Sequence, residues 1–390
     1  MSLVELAEQN ICSHTHRKGK YLIHMINKRV IRLLAAFSLS LILTCTEGCS
    51  NDQSLNVSGS GQSSNELTKQ NPAGNWSVED GYINASVETT NTAAEEVQNS
   101  ESSLSVPTYV TKVDNTWFIV DCYHDQIIYS EDLSAPLYEW KVLTKDAKQP
   151  HTMASDGIVI LVDDTENNRV LVFEKQDSVY VNTQIFDGIG NRPHYTVYDE
   201  EDKAFYVWSS TTGEMYIFRH EDCSSKIYLT EIRKAGGGDK STLDGTYIRS
   251  FYIKDGDIYF VSGIGADGRP SGILICDKAT LEIKEKIEVP DSMAGMVAMV
   301  KEGDYFYITV STDVAGDQNA ATMVRTKDLK GLMKGDFEEI YSDFFVGGGT
   351  PYNITEIDDT FFLTEHRLPG HYVWSFRIEN NEITDVRAVF

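Results

Sequence analysis

The sequence predicts that residues 105–390 form an all-β domain, a six-bladed β-propeller with four antiparallel strands in each blade. Short apolar and aromatic runs recur through this region, and they are rich in Val, Ile, Tyr, Phe and Trp, which favour strands. No long stretch follows the 3.6-residue period of an amphipathic helix. The runs group in fours, and a new group begins every 43 to 56 residues. Such a period is typical of propeller blades.

Each group of strands carries its own hairpin signal. The second run of every group follows a turn made of Asp, Asn, Gly or Glu, which is the composition expected of a tight connection between two strands. A single four-stranded sheet would leave both faces half exposed, so the groups are expected to stack into a closed ring. The ring would close either where the first and last blades meet or with a strand from before Pro107. The groups start at Pro107, Pro150, Pro193, Ile248, Gly295 and Pro351.

The N-terminal segment is predicted to be a leader. Basic residues precede an apolar run, residues 33–43, which is eleven residues long. A transmembrane helix needs about 20 such residues, so the run is typical of a secretory signal. Cys49, or alternatively Cys45, follows it as in the lipobox of bacterial lipoproteins, which this segment resembles. We expect residues 1–49 to be this leader, with the mature protein extracytoplasmic and lipid-anchored at the cell membrane. The alternative is cleavage and secretion.

Residues 50–104 are predicted to be a disordered polar linker. They are rich in Ser, Asn, Thr, Gly and Glu, and their sparse apolar residues cannot offset the entropy lost on ordering. One short strand near residues 81–87 is the single exception that the composition allows. Beyond the linker, Cys122, Cys223 and Cys276 are too scattered for a disulfide framework, so we expect small buried side chains.

One blade carries a family motif. Residues 162–173 read Val-Asp-Asp-Thr-Glu-Asn-Asn-Arg-Val-Leu-Val-Phe, with Asp163 after the second strand and Asn168 and Arg169 opening the third. This stretch resembles an NHL repeat. The resemblance implies an NHL-like propeller in which the Asp and the Arg brace neighbouring blades. NHL-like propellers include binding modules, lyases and scaffolds, so the resemblance supports the fold more than any activity.

Polar residues concentrate on one predicted face of the ring. In a propeller, the innermost strand starts at the face to which the loop between the second and third strands returns. Five of the six histidines in residues 105–390 fall at that face. Function concentrates on such loops over a rigid scaffold. We therefore expect ligand contacts there from Tyr109, Asp121, His124, Asp163, Arg169, Tyr247, Glu365 and His366.

The net charge of the chain excludes one class of partner for this face. The formal net charge of −25 excludes nucleic acid as a partner, because phosphate binding needs a basic surface. The first hypothesis is a monomeric surface binding module or scaffold for a carbohydrate, a peptide or an envelope protein, with the membrane contacted only through the lipid.

The alternative is an extracellular lyase or hydrolase. His151 and His194 would act as a general base or hold a divalent metal, with Tyr352 or Tyr109 as the proton donor. Amidating lyases and streptogramin-type lyases with similar propellers imply this chemistry, although the chain has no HExxH motif. A third hypothesis is that these histidines only anchor loops.

Overall fold

The computed structural model describes residues 97–221, 224–265 and 268–390 and three strands before them, and it confirms a propeller of six blades. Within each blade the strands follow in chain order from the central channel outward, and every neighbouring pair is antiparallel. The blades therefore match the predicted groups. Among the described residues, no helix has the length and apolar character needed to cross a membrane.

The four strand positions repeat in all six blades. The innermost strands are β5 (Pro107–Val113), β9 (Met153–Ser155), β13 (Pro193–Asp199), β17 (Ile248–Lys254), β21 (Met296–Glu302) and β25 (Thr350–Ile357). The second strands are β6 (Thr116–Asp121), β10 (Val159–Asp164), β14 (Ala204–Ser209), β18 (Asp257–Ser262), β22 (Tyr305–Val310) and β26 (Thr360–His366). The third strands are β7 (Gln126–Ser130), β11 (Arg169–Gln176), β15 (Glu214–His220), β19 (Gly272–Asp277), β23 (Thr322–Thr326) and β27 (Val373–Glu379).

The outer strands and short helical turns complete the fold. The fourth strands are β8 (Lys141–Thr144), β12 (Val179–Asp187), β16 (Ile227–Lys234), β20 (Ile283–Glu288), β24 (Glu338–Glu339) and β28 (Glu382–Ala388). One four-residue helix, α1 (Tyr341–Phe344), follows β24. Short 3₁₀ turns lie at Cys122–His124, Leu137–Glu139, Thr165–Asn167, Asp291–Met293, Gln318–Ala320 and Leu329–Lys334.

Part of the segment predicted to be a disordered linker forms strands, which corrects that prediction. The strand β3 (Val87–Ala93) pairs with β12, and β4 (Val97–Gln98) pairs with β8, so blades 2 and 1 each have five strands. Before them, β1 (Ser77–Glu79) and β2 (Tyr82–Asn84) form a hairpin. The outermost strand of a blade leaves a row of unpaired backbone groups, which a polar strand can satisfy without much apolar burial. The predicted leader, with Cys45 and Cys49, lies outside the described residues.

Apolar clusters between neighbouring blades form the core. Between blades 1 and 2, for example, the rings of Phe118, Tyr129 and Tyr180 lie 5.1 to 5.8 Å apart. Cys122 and Cys276 are buried as predicted, while Cys223 is not among the described residues. Large aromatic side chains stabilise such interfaces because each one buries a large apolar area.

The ring closes where blade 6 packs against blade 1. The Asn353 side-chain amide donates to the Thr108 carbonyl at 3.0 Å, and the Thr355 hydroxyl donates to the Val110 carbonyl at 2.9 Å. The rings of Trp117 and Phe362 meet edge to face, with centroids 5.3 Å apart. Of the two closures that the sequence leaves open, the structure has the simple meeting of the first and last blades. The preceding strands extend the outer edges of blades 1 and 2 instead.

Candidate functional site

A β-bulge near the start of the inner strand recurs in five of the six blades. The register with the second strand shifts after Pro107, Pro193, Ile248, Met296 and Pro351. A bulge leaves one residue without a partner and redirects its side chain, and bulges are frequent next to active sites. Residues at these five bulges, together with His151 just before β9, form a layer that we call the upper layer of the channel. It comprises Thr108, His151, His194, Arg249, Val297 and Tyr352, all of them buried.

Two histidines of the upper layer, which the sequence predicts to lie at one face, are in direct contact. The imidazole rings of His151 and His194 lie 4.0 Å apart and are tilted by 40°. Nδ1 of His151 donates to the Gln149 carbonyl at 2.7 Å, and its Nε2 lies 3.9 Å from the Cys122 sulfur. Neither ring nitrogen of His194 has a hydrogen-bond partner among the described residues. The pair therefore contains one anchored imidazole and one with two unused nitrogens.

Burial keeps both imidazoles neutral. It lowers the pKa of His151 to about 3, and the positive charge of Arg192 acts in the same direction. Burial also lowers the pKa of His194 well below its ordinary value, with further contributions from His151, Arg192 and Arg249. At neutral pH the two rings can donate or accept a proton in a hydrogen bond, but they carry no charge.

The donor set around this pair does not fit the divalent metal that the sequence suggested. Among the described residues, no group of three or more His, Cys, Asp or Glu side chains is placed to hold an ion. The rings of His151 and His194 are in contact with each other at 4.0 Å, whereas metal ligands must direct their nitrogens at one point about 2.0–2.3 Å away. Nδ1 of His151 is also committed to a carbonyl. The residues around this pair therefore do not fit a divalent metal ion.

Asp163 positions the start of blade 2. Its buried carboxylate accepts hydrogen bonds from the backbone N–H groups of His151 at 2.6 Å and Thr152 at 3.0 Å. Burial raises the pKa of Asp163 to about 7, although these hydrogen bonds oppose the shift. Burial, with Asp163 nearby, also raises the pKa of Tyr109 far above its ordinary value. These two predicted ligand contacts are thus neighbours, and Asp163 is occupied in holding the backbone.

Two further predicted contacts lie together in blade 1. Asp121 accepts a hydrogen bond from the backbone N–H of Ser105 at 2.6 Å, and its second oxygen lies 2.6 Å from Nδ1 of His124. This hydrogen bond raises the pKa of His124, against the effect of partial burial. The pair ties the segment before β5 to the blade, which is an anchoring arrangement.

Arg169, which the NHL resemblance implies helps to brace neighbouring blades, bonds within blade 2 and to the segment that follows blade 1. It pairs with Asp164 of its own blade and with Asp146, 3.2 Å away. The contact between blades 2 and 3 is made instead by neighbours of Arg169. The Thr165 hydroxyl donates to the Pro193 carbonyl at 2.8 Å.

The remaining predicted contacts lie in blades 4 and 6. The His366 ring meets the Tyr352 ring edge to face at 4.9 Å, and burial lowers the pKa of His366 to about 4. Glu365 is buried, accepts a hydrogen bond from the Tyr341 hydroxyl at 2.6 Å, and has its pKa raised by burial to about 7. Tyr247 lies under the guanidinium of Arg249, with 5.3 Å between the charge centre and the ring centroid.

A cavity of about 710 Å³ lies at the end of the channel where the inner strands finish. We call it the lower cavity. Inner strands and turns of blades 1 to 4 line it, and the lining includes Tyr109, Thr196, Tyr198 and Asp255. Only Tyr109 of the predicted site residues contributes. The sequence pattern does not reveal this cavity, because the histidines that indicate a site lie at the opposite end, where the inner strands start.

Carboxylates make the lower cavity electrostatically negative. Asp199, Glu200, Glu201 and Asp255 line it against one cation, Lys254. Asp199 is paired with Lys278 at 2.8 Å, but Glu200 and Asp255 form no ion pair with the described residues.

Two more carboxylates lie near the lower ends of their inner strands in blades 5 and 6. Burial and the negative charges of Glu302 and Asp359 raise the pKa of Glu356 to about 7. Burial also raises the pKa of Glu302, although Lys254 opposes the shift. Burial is the main cause of both shifts, and the neighbouring carboxylates add to it.

Arg249 is a further buried polar residue of the upper layer that the sequence pattern did not single out. It occupies the same bulged position in β17 that His194 occupies in β13. The signal that could have found it is a single arginine in an otherwise apolar inner strand, aligned with His194 between consecutive repeats.

Comparison with known proteins supports the fold alone. No family model matches the chain, and no curated protein matches it in sequence. A 6-phosphogluconolactonase candidate from Bacteroides uniformis is similar in structure, with 12% identity, 73% of this chain and 85% of that one covered, and a TM-score of 0.50. A second such candidate, from Bacteroides fragilis, has 11% identity, coverages of 72% and 83%, and the same TM-score of 0.50.

A virginiamycin B lyase from Staphylococcus aureus also matches in structure. It has 15% identity, coverages of 76% and 88%, and a TM-score of 0.46. A likeness of this size says nothing about the chemistry of the present chain.

Proposed function

We propose that this protein is an extracytoplasmic binding module, anchored through a lipid on Cys49 or Cys45, whose lower cavity binds a cationic group of a peptide or an envelope protein. The group would be a lysine or arginine side chain or a free amine. The single observation that carries the proposal is the buried hydroxyl of Thr196, which has no hydrogen-bond partner among the described residues and belongs to a cavity bordered by carboxylates.

The size of the lower cavity suits such a ligand. Small-molecule and side-chain pockets commonly measure about 300–1,000 Å³, and this one measures about 710 Å³. It is set in a rigid ring, so binding would order few additional groups and would lose little conformational entropy. Tyr109 and Tyr198 provide flat surfaces for the apolar stem of a long basic side chain.

The polar groups favour a cation that also accepts or donates hydrogen bonds. A buried hydroxyl without a partner costs about 1–3 kcal/mol, which a ligand bound at Thr196 would remove. Unpaired carboxylates at one end of a channel concentrate cations near it and speed their association. A neutral carbohydrate would satisfy the hydroxyl but would leave the carboxylates unpaired, so we favour the peptide.

The test measures binding of three labelled pentapeptides that differ only in charge, by fluorescence anisotropy at low ionic strength. We expect the lysine-rich peptide to bind, and the serine-rich and glutamate-rich peptides to bind at least tenfold more weakly. The double variant Asp255→Asn, Glu200→Gln should weaken lysine-peptide binding at least tenfold, because both carboxylates line the lower cavity and neither forms an ion pair with a described residue.

A matched control keeps the change in net charge constant. Asp385→Asn, Glu382→Gln also removes two carboxylates, both exposed on the outer strand β28. Asp255 and Asp385 share a left-handed backbone, with φ of 51° and 53°, so both replacements make the same conformational demand. Equal effects of the two double variants would contradict the proposal, as would selective binding of neutral oligosaccharides.

A second candidate function is the lyase or hydrolase, and one observation favours it. His194 is a neutral imidazole, and neither ring nitrogen has a hydrogen-bond partner among the described residues, so one nitrogen is available to accept a proton. If this is the function, the wild-type protein should hydrolyse or eliminate at least one member of an ester, lactone and uronate panel. The His194→Gln variant, unchanged in thermal stability, should lose that activity at least a hundredfold. An inactive wild type across the panel would favour the binding module.

A further inference from the structure

Arg249 carries a buried charge that no carboxylate neutralises. The side chain is 4% exposed, and no Asp or Glu of the described residues lies within ion-pair distance of it. Nη1 donates to the Gly295 carbonyl at 3.2 Å, the Met296 carbonyl at 3.3 Å and the Ser311 hydroxyl at 2.9 Å. These acceptors are uncharged. The guanidinium thus joins blades 4 and 5 without losing its net charge.

The guanidinium stays charged, although burial lowers its pKa. An arginine side chain is effectively never deprotonated in a protein. Buried charges in proteins are normally paired, because the solvation lost on burial has to be replaced. Among the described residues, the aromatic ring that contacts the Arg249 guanidinium is that of Tyr247, 5.3 Å away. The Arg249 guanidinium therefore lacks a negatively charged partner among the described residues.

The free side of the guanidinium faces a position left open by a glycine. Nε of Arg249 has no hydrogen-bond partner among the described residues. A Cβ atom on Gly263 would lie 3.1 Å from this Nε and 3.1 Å from Cδ1 of Tyr247. Gly263 has no positive φ, so its backbone does not itself require glycine. Because a Cβ atom there would be in tight contact with the guanidinium, glycine at this position keeps Nε, an unused donor of Arg249, uncovered by a side chain.

His194 supplies the second unused donor from the next blade. Both of its ring nitrogens are buried and unpaired, and its pKa responds to the charge of Arg249. A neutral imidazole has one N–H to donate, and Nε of Arg249 has another. Two donors and a positive charge are the elements that recognise a carboxylate or a phosphate.

We propose that Arg249 and His194 form an oxyanion-binding site in the upper layer of the channel, which takes the carboxylate or phosphate group of a small molecule. This upper anion site is separate from the lower cavity, which has the opposite charge. Its existence does not depend on the peptide-binding function.

The experiment is calorimetric titration of the full chain with inorganic phosphate, acetate and chloride at one ionic strength. We expect saturable binding of phosphate or acetate that is at least tenfold tighter than that of chloride, and the preferred oxyanion identifies the ligand class. Arg249→Gln should abolish this binding. Arg377→Gln, which removes an exposed arginine of blade 6, should leave it unchanged.

A second variant keeps the test decisive if Arg249→Gln fails to fold. Gly263→Ala retains every side chain of the site but places a methyl group beside Nε, so it should weaken oxyanion binding at least tenfold with the fold intact. The proposal is overturned if neither oxyanion binds the wild type more tightly than chloride does. It is also overturned if Gly263→Ala or Arg249→Gln binds as the wild type does. Lysine-peptide binding measured on the same variants separates this result from the function of the lower cavity.

Discussion

At the scale of the residue, burial and acidic partners together determine the pKa values of the histidines in the ring. His151, His194 and His366 are buried and have lowered pKa values, whereas His124 is partly exposed, bonds to Asp121 and has a raised one. The sequence placed all four at one face. It could not distinguish them, because the direction of a pKa shift depends on neighbours that are distant in the chain.

The depressed pKa of His366 predicts how stability changes with pH. Its folded pKa is about 4, below the unfolded value of 6.5, so the unfolded chain binds the proton first as the pH falls. The stability associated with the neutral ring is complete above pH 6.5 and is lost as the pH falls towards 4. His366→Phe keeps an aromatic ring beside Tyr352 and removes the titration.

When the pH falls from 7 to 4.5, the wild type should lose about 2–3 kcal/mol more of its free energy of unfolding than this variant does. Urea unfolding at the two pH values measures the difference. His371→Phe is the control, since His371 is only partly buried and also stacks on a ring, that of Trp374. An equal pH dependence in the wild type and His366→Phe would contradict the explanation.

At the scale of the element, the outer edges of blades 1 and 2 show how a polar segment becomes part of the fold. The strand β3 has the sequence Val-Glu-Thr-Thr-Asn-Thr-Ala, and its three threonines are β-branched residues that favour strands. Its composition suggested a linker because an isolated polar strand is not stable. The edge of β12 supplies the backbone partners that the strand lacks by itself.

Proline at two positions of β3 should detach this strand. Thr89 pairs with Gln184 and Thr92 pairs with Asn182, and proline removes a backbone donor at each. We expect Thr89→Pro, Thr92→Pro to increase hydrogen exchange along β12 at least tenfold while β10, nearer the channel, keeps its protection. The control is Thr89→Ala, Thr92→Ala, which retains both N–H groups. Unchanged exchange in β12 would show that β3 contributes no stable pairing.

At the scale of the whole molecule, closure of the ring couples the first blade to the last. The seam is both apolar and hydrogen-bonded: Phe362 packs on Trp117, and Asn353 donates to Thr108. The two sides are separated by about 245 positions in the chain. The four inner strands of every blade come from one continuous stretch, and among the described residues the most distant segments of the chain meet at this seam.

Opening a cavity at the seam should destabilise the entire ring. Phe362 is 3% exposed, so Phe362→Ala is expected to lower the free energy of unfolding by about 3–5 kcal/mol, with one cooperative transition in urea. Phe306→Ala, a partly exposed position in blade 5, should cost less than half as much. A loss confined to blade 6, seen as a separate early transition, would contradict the coupling.

The sequence by itself determined the number of blades, the order of their strands and the common face of His151 and His194. These features follow from local rules, since alternation, turn residues and repeat length are all set by neighbours in the chain. Only the tertiary structure decided that β3 and β4 join blades 2 and 1, that Arg249 lacks a counter-ion and that the lower cavity is negative. Burial and charge pairing arise between blades, and they depend on contacts between residues dozens to hundreds of positions apart.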